Sequence, residues 1–341
     1  MPGVRNVAVA GAGPAGATIA RLLALKGWRV SLIDSFSRRL ERLEVLAPSS
    51  MPLIEALSLG DVLEDPAVAR PCLGIRRRWL STEVEFDDFL RRPPGRGFVV
   101  DRRAFDDRLR LLALAAGVER VVGRISAIRR EQDIFILDFA GAGVTSLSAS
   151  LVVDATGRAA ALACRLGIER IVKERLVAER RTIDRSDLPQ GNAVWLDVQA
   201  DRDSWNYETY GPDGRRENWT ISRHGRRCGA SADVANASST CLAQAAGPGW
   251  IAIGDAAAAF DPVASQGLFN ALSAAMVAAG IIAERGAVSL DVATDYTAAI
   301  ISTFLHSERG RTQVYAARSK ATSNSESIPN GYRYGAKEYT P

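Results

Sequence analysis

Lysine, histidine and cysteine are all scarce in this chain of 341 residues, and each scarcity closes off a function. Lysine stands only at Lys26, Lys173, Lys320 and Lys337, so the basic residues are almost wholly arginine. With only His224 and His306 as histidines, a zinc site would need distant ligands to coincide, and no metal is expected. Cys72, Cys164, Cys228 and Cys241 show no CxxC spacing and are too sparse to staple a chain of this length. Free, buried thiols in a reducing, cytoplasmic setting are the expectation. No apolar run reads as a signal peptide or a membrane span. The first is broken by Gly11, Gly13, Pro14 and Gly16, and 268–283 by Asn270, Ser273 and Gly280. The net charge of +4, with acids and bases interspersed, leaves no footprint for nucleic acid.

What is present is a hydrophobic fraction of 47%, enough for a sizeable core, and room for two domains or one large α/β domain with an insertion. The opening organises the rest. Residues 6–10 read as an apolar strand, 11–16 as a glycine turn and 17–26 as a helix. Gly11 turns the chain off the strand, Gly13 clears space for a pyrophosphate, and Gly16 lets the helix lie close to the sheet. Unpaired amides at the helix start favour phosphate. A second apolar strand, 29–34, ends in Asp34, 18 residues beyond Gly16, where a carboxylate can accept from ribose hydroxyls. Pro14 and Ala15 inside the turn favour FAD over NAD.

Further along, 35–48 carries Arg38, Arg39 and Arg42 and reads either as a solvated helix face or as arginines reaching the nucleotide. Residues 51–59 read as a short helix stopped by Gly60. Residues 75–79 and 83–86 alternate as half-exposed antiparallel strands, and Asp101 opens a helix running to Ala116. Three strands of a meander follow at 118–128, 134–139 and 144–147. The chain then returns to the core at Leu151 to Asp154, followed by Ala155, Thr156, Gly157 and Arg158. The stretch 176–228 alternates again and carries Trp195, Trp205, Tyr207, Tyr210 and Trp219, a group suited to an aromatic pocket. A third core strand ends at Gly254 and Asp255, where the carboxylate can accept from a polyol. Asp261, Pro262, Ser265, Gln266 and Gly267 then lead into an alanine-rich helix whose positive end favours a reduced, anionic flavin.

These motifs, in this order, resemble the FAD-dependent monooxygenases of the p-hydroxybenzoate hydroxylase fold, in the branch that includes the flavin-dependent halogenases. Within it, residues 71–75, Trp79, 97–102 and 261–267 are most similar to flavoproteins that modify protein-bound tryptophan during quinone cofactor maturation. The resemblance implies an α/β fold, a Rossmann-like FAD-binding domain with a mixed-sheet substrate domain inserted. The FAD-binding domain would comprise 1–70, 98–175 and 248–285. An abbreviated substrate domain would comprise 71–97 and 176–247, followed by a helical segment, 286–320, and a tail, 321–341. It implies FAD held by Gly11, Gly13, Pro14, Ala15, Gly16, Asp34, Arg42, Arg102, Gly254, Asp255, Pro262, Ser265, Gln266 and Gly267, with no catalytic residue assigned.

The activity implied is hydroxylation of an electron-rich aromatic through a flavin C4a-hydroperoxide. The substrate would be a tryptophan side chain of a partner protein or an indole or phenol small molecule. NAD(P)H or a flavin reductase would supply electrons, since no second glycine fingerprint marks a nicotinamide domain. Halogenation ranks second, because no lysine lies between Lys26 and Lys173 and the WxWxIP signature is missing. An FAD-dependent reductase or dehydrogenase of the same fold is the further alternative. For a protein substrate, Arg76 to Arg78 and the tail offer a docking surface.

Overall fold

The computed structural model describes residues 5–36, 41–79, 83–93, 95–140, 145–183, 193–200, 204–223 and 233–325. Arg38, Arg39, Cys228, His224 and most of the expected tail lie outside these residues.

Asn6–Ala10, Arg29–Asp34 and Leu151–Asp154 pair as parallel neighbours, Trp250–Ala252 extends the parallel order on one side, and Glu119–Val122 extends it on the other. A short antiparallel strand, Ala246–Gly247, closes one edge of this six-stranded sheet. Parallel strands are covered on both faces, which is why these runs are continuously apolar rather than alternating. In Asn6–Ala10, Val7 to Ala10 are all buried. The helix Pro14–Leu25 packs against the sheet, against Arg102–Ala115 and against the late helix Gly267–Arg285.

A nine-stranded sheet stands beside it. Its order runs Asp233–Asn236, Val177–Ile183, Arg216–Ser222, Ser204–Tyr210, Val194–Ala200, Ala69–Arg78, Gly97–Asp101 and Leu43–Leu46, with Glu85–Asp88 also on Ala69–Arg78. The strands Leu43–Leu46 and Gly97–Asp101, assigned above almost wholly to the nucleotide unit, lie in this sheet. Two expectations within these stretches are corrected. Residues 43–46 form a strand, not a helix face, because they find a distant antiparallel partner in Gly97–Asp101. Gly60 starts a helix, Gly60–Glu64, instead of merely stopping one.

The meander appears as a three-stranded antiparallel sheet of Arg124–Glu131, Ile134–Ala140 and Ser146–Ala149. Asp101 caps Arg102–Ala115, its carboxylate accepting from the Arg103 and Ala104 amides. Cys72 and Cys241 are buried free thiols as expected, but Cys164 is exposed. Among the described residues one helix, Gly267–Arg285, is long and apolar enough to cross a membrane; Leu268, Leu272, Ala275, Ala278, Ala279 and Ile282 on it are buried within the protein.

Candidate functional site

A cavity of about 1110 Å³ runs between the two sheets. That is just above the ~300–1,000 Å³ common for small-molecule sites, room enough for a long two-ended ligand. Asp34 and Asp255 both stand on its wall, together with Gly11, Gly13, Pro14, Ala15, Arg42, Arg102, Pro262, Ser265, Gln266 and Gly267. Gly16 and Gly254 do not line it. They lie behind the wall and hold it in shape: a Cβ on Gly16 would meet the Gly11 carbonyl oxygen at 1.8 Å, and one on Gly254 would meet the Ala15 Cβ at 3.2 Å. Gly11 itself has φ +98°, and its amide donates to the Ile33 carbonyl at 2.7 Å, which fixes the turn off the first strand.

Pro14–Leu25 and Gly267–Arg285 both start at the cavity, and neither carries a side-chain cap or an acidic residue in its first turn. Their leading amides and positive dipole ends are therefore available to an anionic ligand. At the far end, one Asp34 oxygen accepts from the Ala12 amide at 2.7 Å and the other from the Phe36 amide at 2.9 Å, so the turn orients this carboxylate.

The two arginines behave differently. The Arg42 guanidinium pairs with Glu44 at 3.0 Å and keeps a half-exposed side chain. Arg102 is buried and committed, donating to Asp106 at 3.0 and 3.2 Å and to Glu44 at 2.5 Å. Burial by itself would raise the Glu44 carboxyl, but Arg102 and then Arg42 outweigh it and hold Glu44 below its ordinary value. Asp255 goes the other way. Burial raises it, with Arg158 at 3.5 Å and Arg42 opposing.

Arg158 stands outside the residues expected to hold FAD. It lines the cavity, pairs with Asp255 and donates to the carbonyls of Ser238 at 2.5 Å and Phe260 at 2.9 Å, tying three chain segments together. Asp154, by contrast, serves the fold. Its carboxylate accepts from the Thr156 amide and hydroxyl and from the Leu162 and Ala163 amides, while Ala155, Thr156 and Gly157 meet the cavity. Asp154→Ala would leave several of these donors unpaired in the interior; a loss of about 2–4 kcal/mol is expected in urea melts.

Of the five aromatics expected at a pocket, two face it. Tyr207 and Trp219 are cross-strand partners with ring centroids 6.3 Å apart and planes 15° from parallel. Burial pushes the Tyr207 phenol up from its ordinary value. Trp205 instead packs on Trp79, and Trp195 on Phe86. Thr209, two residues beyond Tyr207 on the same strand, also lines the cavity. The expected C-terminal helical segment forms as Leu290–Ser325, and it brings Thr303, His306 and Ser307, none of them expected at the site, to the cavity at spacings of three and four.

The residues present fit FAD: a glycine cradle that admits no Cβ, an acid at one end and an uncapped helix start at the other. A dinucleotide whose second half carries a redox ring accounts for both ends of the cavity, and the class is that of FAD-dependent oxidoreductases. The chain belongs to the FAD binding domain family, whose model matches residues 5–184. It is similar to the menaquinone reductase of Mycobacterium tuberculosis, 26% identical over 320 residues covering 82% of this chain and 77% of that one. In fold it is similar to QhpG, a peptidyl tryptophan dihydroxylase essential for tryptophylquinone cofactor biogenesis. The TM-score is 0.72 at 24% identity, over 92% of this chain and 75% of the other. The myxobacterial chondrochloren halogenase CndH, an FAD-dependent halogenase, aligns with a TM-score of 0.72 at 21% identity, over 89% and 78%.

Proposed function

We propose that this oxidoreductase hydroxylates an electron-rich aromatic ring, an indole or phenol, free or as a tryptophan side chain of a partner protein. The observation that carries the reading is the stacked Tyr207 and Trp219 pair, which lines the same cavity as Asp255 and the start of the late helix. Flat rings stack on flat rings, so a substrate ring would be held against this pair. The flavin, when bound, supplies the activation of dioxygen.

This chain's own residues do the rest. Gly11 to Ala15 would admit the pyrophosphate, Asp34 would accept from the ribose, and Asp255, paired with Arg158, would accept from the ribityl chain. The amides at Gln266 and Gly267 favour negative charge on the ring. The C-terminal helix lines the cavity with Thr303, His306 and Ser307. In the overall reaction one oxygen atom enters an aromatic C–H bond, and two electrons and two protons convert the other to water. NAD(P)H, directly or through a flavin reductase, is the proposed electron source.

The test is oxygen consumption matched to product, with mass spectrometry showing one added oxygen on the aromatic substrate. A gain of chlorine or bromine would replace this reading with halogenation. Among the described residues no lysine lines the cavity, which ranks that outcome second. The similarity to menaquinone reductase favours a second reading, reduction of a quinone or prenyl substrate. Turnover of such a substrate without oxygen uptake would establish it.

A further inference from the structure

The C-terminal helix meets the site again further along its length, at Tyr315. Tyr315 lies edge-on to Trp79, with centroids 6.4 Å apart, and its hydroxyl accepts from the Trp205 indole N–H at 2.9 Å. The same oxygen lies 3.1 Å from an Asp261 carboxylate oxygen. With Asp261 ionised, the direction of this chain is forced. An indole nitrogen can only donate, so the one hydroxyl proton goes to Asp261. The other Asp261 oxygen accepts from the Val263 amide at 2.9 Å and caps the short turn Pro262–Ala264. That turn leads through Ser265 to Gln266 and the start of the late helix. One side chain thus connects the nine-stranded sheet, the C-terminal helix and the loop that presents the helix start.

We propose that Tyr315 and Asp261 are a positioning pair, through which the C-terminal helix fixes the loop before Gly267 and makes the grip on the flavin depend on pH. The proposal rests on the flavin reading given above. Asp261 is 5% exposed and lines the cavity. Burial pushes its carboxyl from 3.8 up to about 6, opposed by the Val263 amide, by Tyr315 and by Arg158, with Glu308 adding to the rise. The sign follows. A carboxyl raised in the folded state favours folding when protonated; that contribution is complete below about 3.8 and is lost as pH rises through about 6. Above that pH the loop is held by a bond to a charged acceptor, which makes the Tyr315 hydroxyl most important there.

The experiment uses the full chain and three variants, Y315F, W205F and D261N. Thermal melts of flavin-free protein and FAD titrations are each followed from pH 4.5 to 8.5. The wild type is expected to show an inflection in melting temperature near pH 6. Y315F, which keeps the ring but removes the donor, should move it upward by about one unit. It should also weaken FAD binding about tenfold at pH 8. W205F keeps the Tyr315 to Asp261 bond and should leave both within about twofold of wild type, whereas D261N should abolish the inflection. An inflection that survives in D261N, or identical shifts in Y315F and W205F, would overturn the pair. FAD bound equally by wild type and Y315F overturns the proposal and leaves the flavin site standing. No FAD bound by the wild type at any pH overturns both.

Discussion

Gly16→Val is expected to yield a chain that no longer binds FAD, with affinity reduced at least about a hundredfold, and that loses about 3 kcal/mol of stability. The first atom of any side chain at this position would stand 1.8 Å from the Gly11 carbonyl oxygen and 3.1 Å from the Ala155 Cβ. Backbone cannot swing aside as a flexible side chain can. The helix Pro14–Leu25 would have to lift off the turn, carrying with it the amides that face the cavity. Gly267→Ala is the matched control, since nothing lies within 4 Å of a Cβ there and a helix start tolerates alanine. Its stability should stay within about 0.5 kcal/mol of wild type. Urea melts and FAD titrations of the two variants measure both effects.

Arg102→Met is expected to cost about 3–5 kcal/mol, since it removes a buried guanidinium that pairs with two carboxylates. Glu44 and Asp106 are the groups left behind, and both are held by this guanidinium. A triple variant, R102M/E44Q/D106N, removes the charges together and should recover most of the loss. It also separates two roles for Arg102. If the side chain only organises the wall, the triple variant regains FAD affinity along with stability; if it contacts the cofactor, stability returns and affinity does not. Acid titration adds an independent mark. Glu44 is depressed in the folded protein, so its contribution is present above its ordinary value of 4.5 and is lost as pH falls through the lower folded value. The wild type should show this loss in melts below about pH 4.5, and the triple variant should not.

The nucleotide half was legible because its determinants are local. A buried parallel strand needs only a run such as Val7 to Ala10, a glycine that turns where Gly11 does, and an acid at the end of the next strand at Asp34. The Asp101 cap is local too, as it reaches only two and three residues ahead. What escaped depends on partners far away in sequence. Leu43–Leu46, set among arginines, becomes a strand only because Gly97–Asp101 lies alongside. Ala69–Arg78 gains a parallel neighbour in Val194–Ala200, a pairing that no alternation within either segment reveals. Arg102 heads its helix, but its pairing depends on Glu44, which the sheet brings up from another strand. Tyr315 reads in sequence as one more helical residue, and only its register against Trp205 and Asp261 makes it part of the site.

Crystals grown with FAD give the most direct test of the central claim, that separated segments of one chain grip a single flavin. The account requires the adenosine ribose beside Asp34 and the ring in front of Gln266 and Gly267, with Tyr207 and Trp219 across from it. A flavin seated elsewhere, or a fold in which Asp34 and Asp255 do not contact the same molecule, would contradict it.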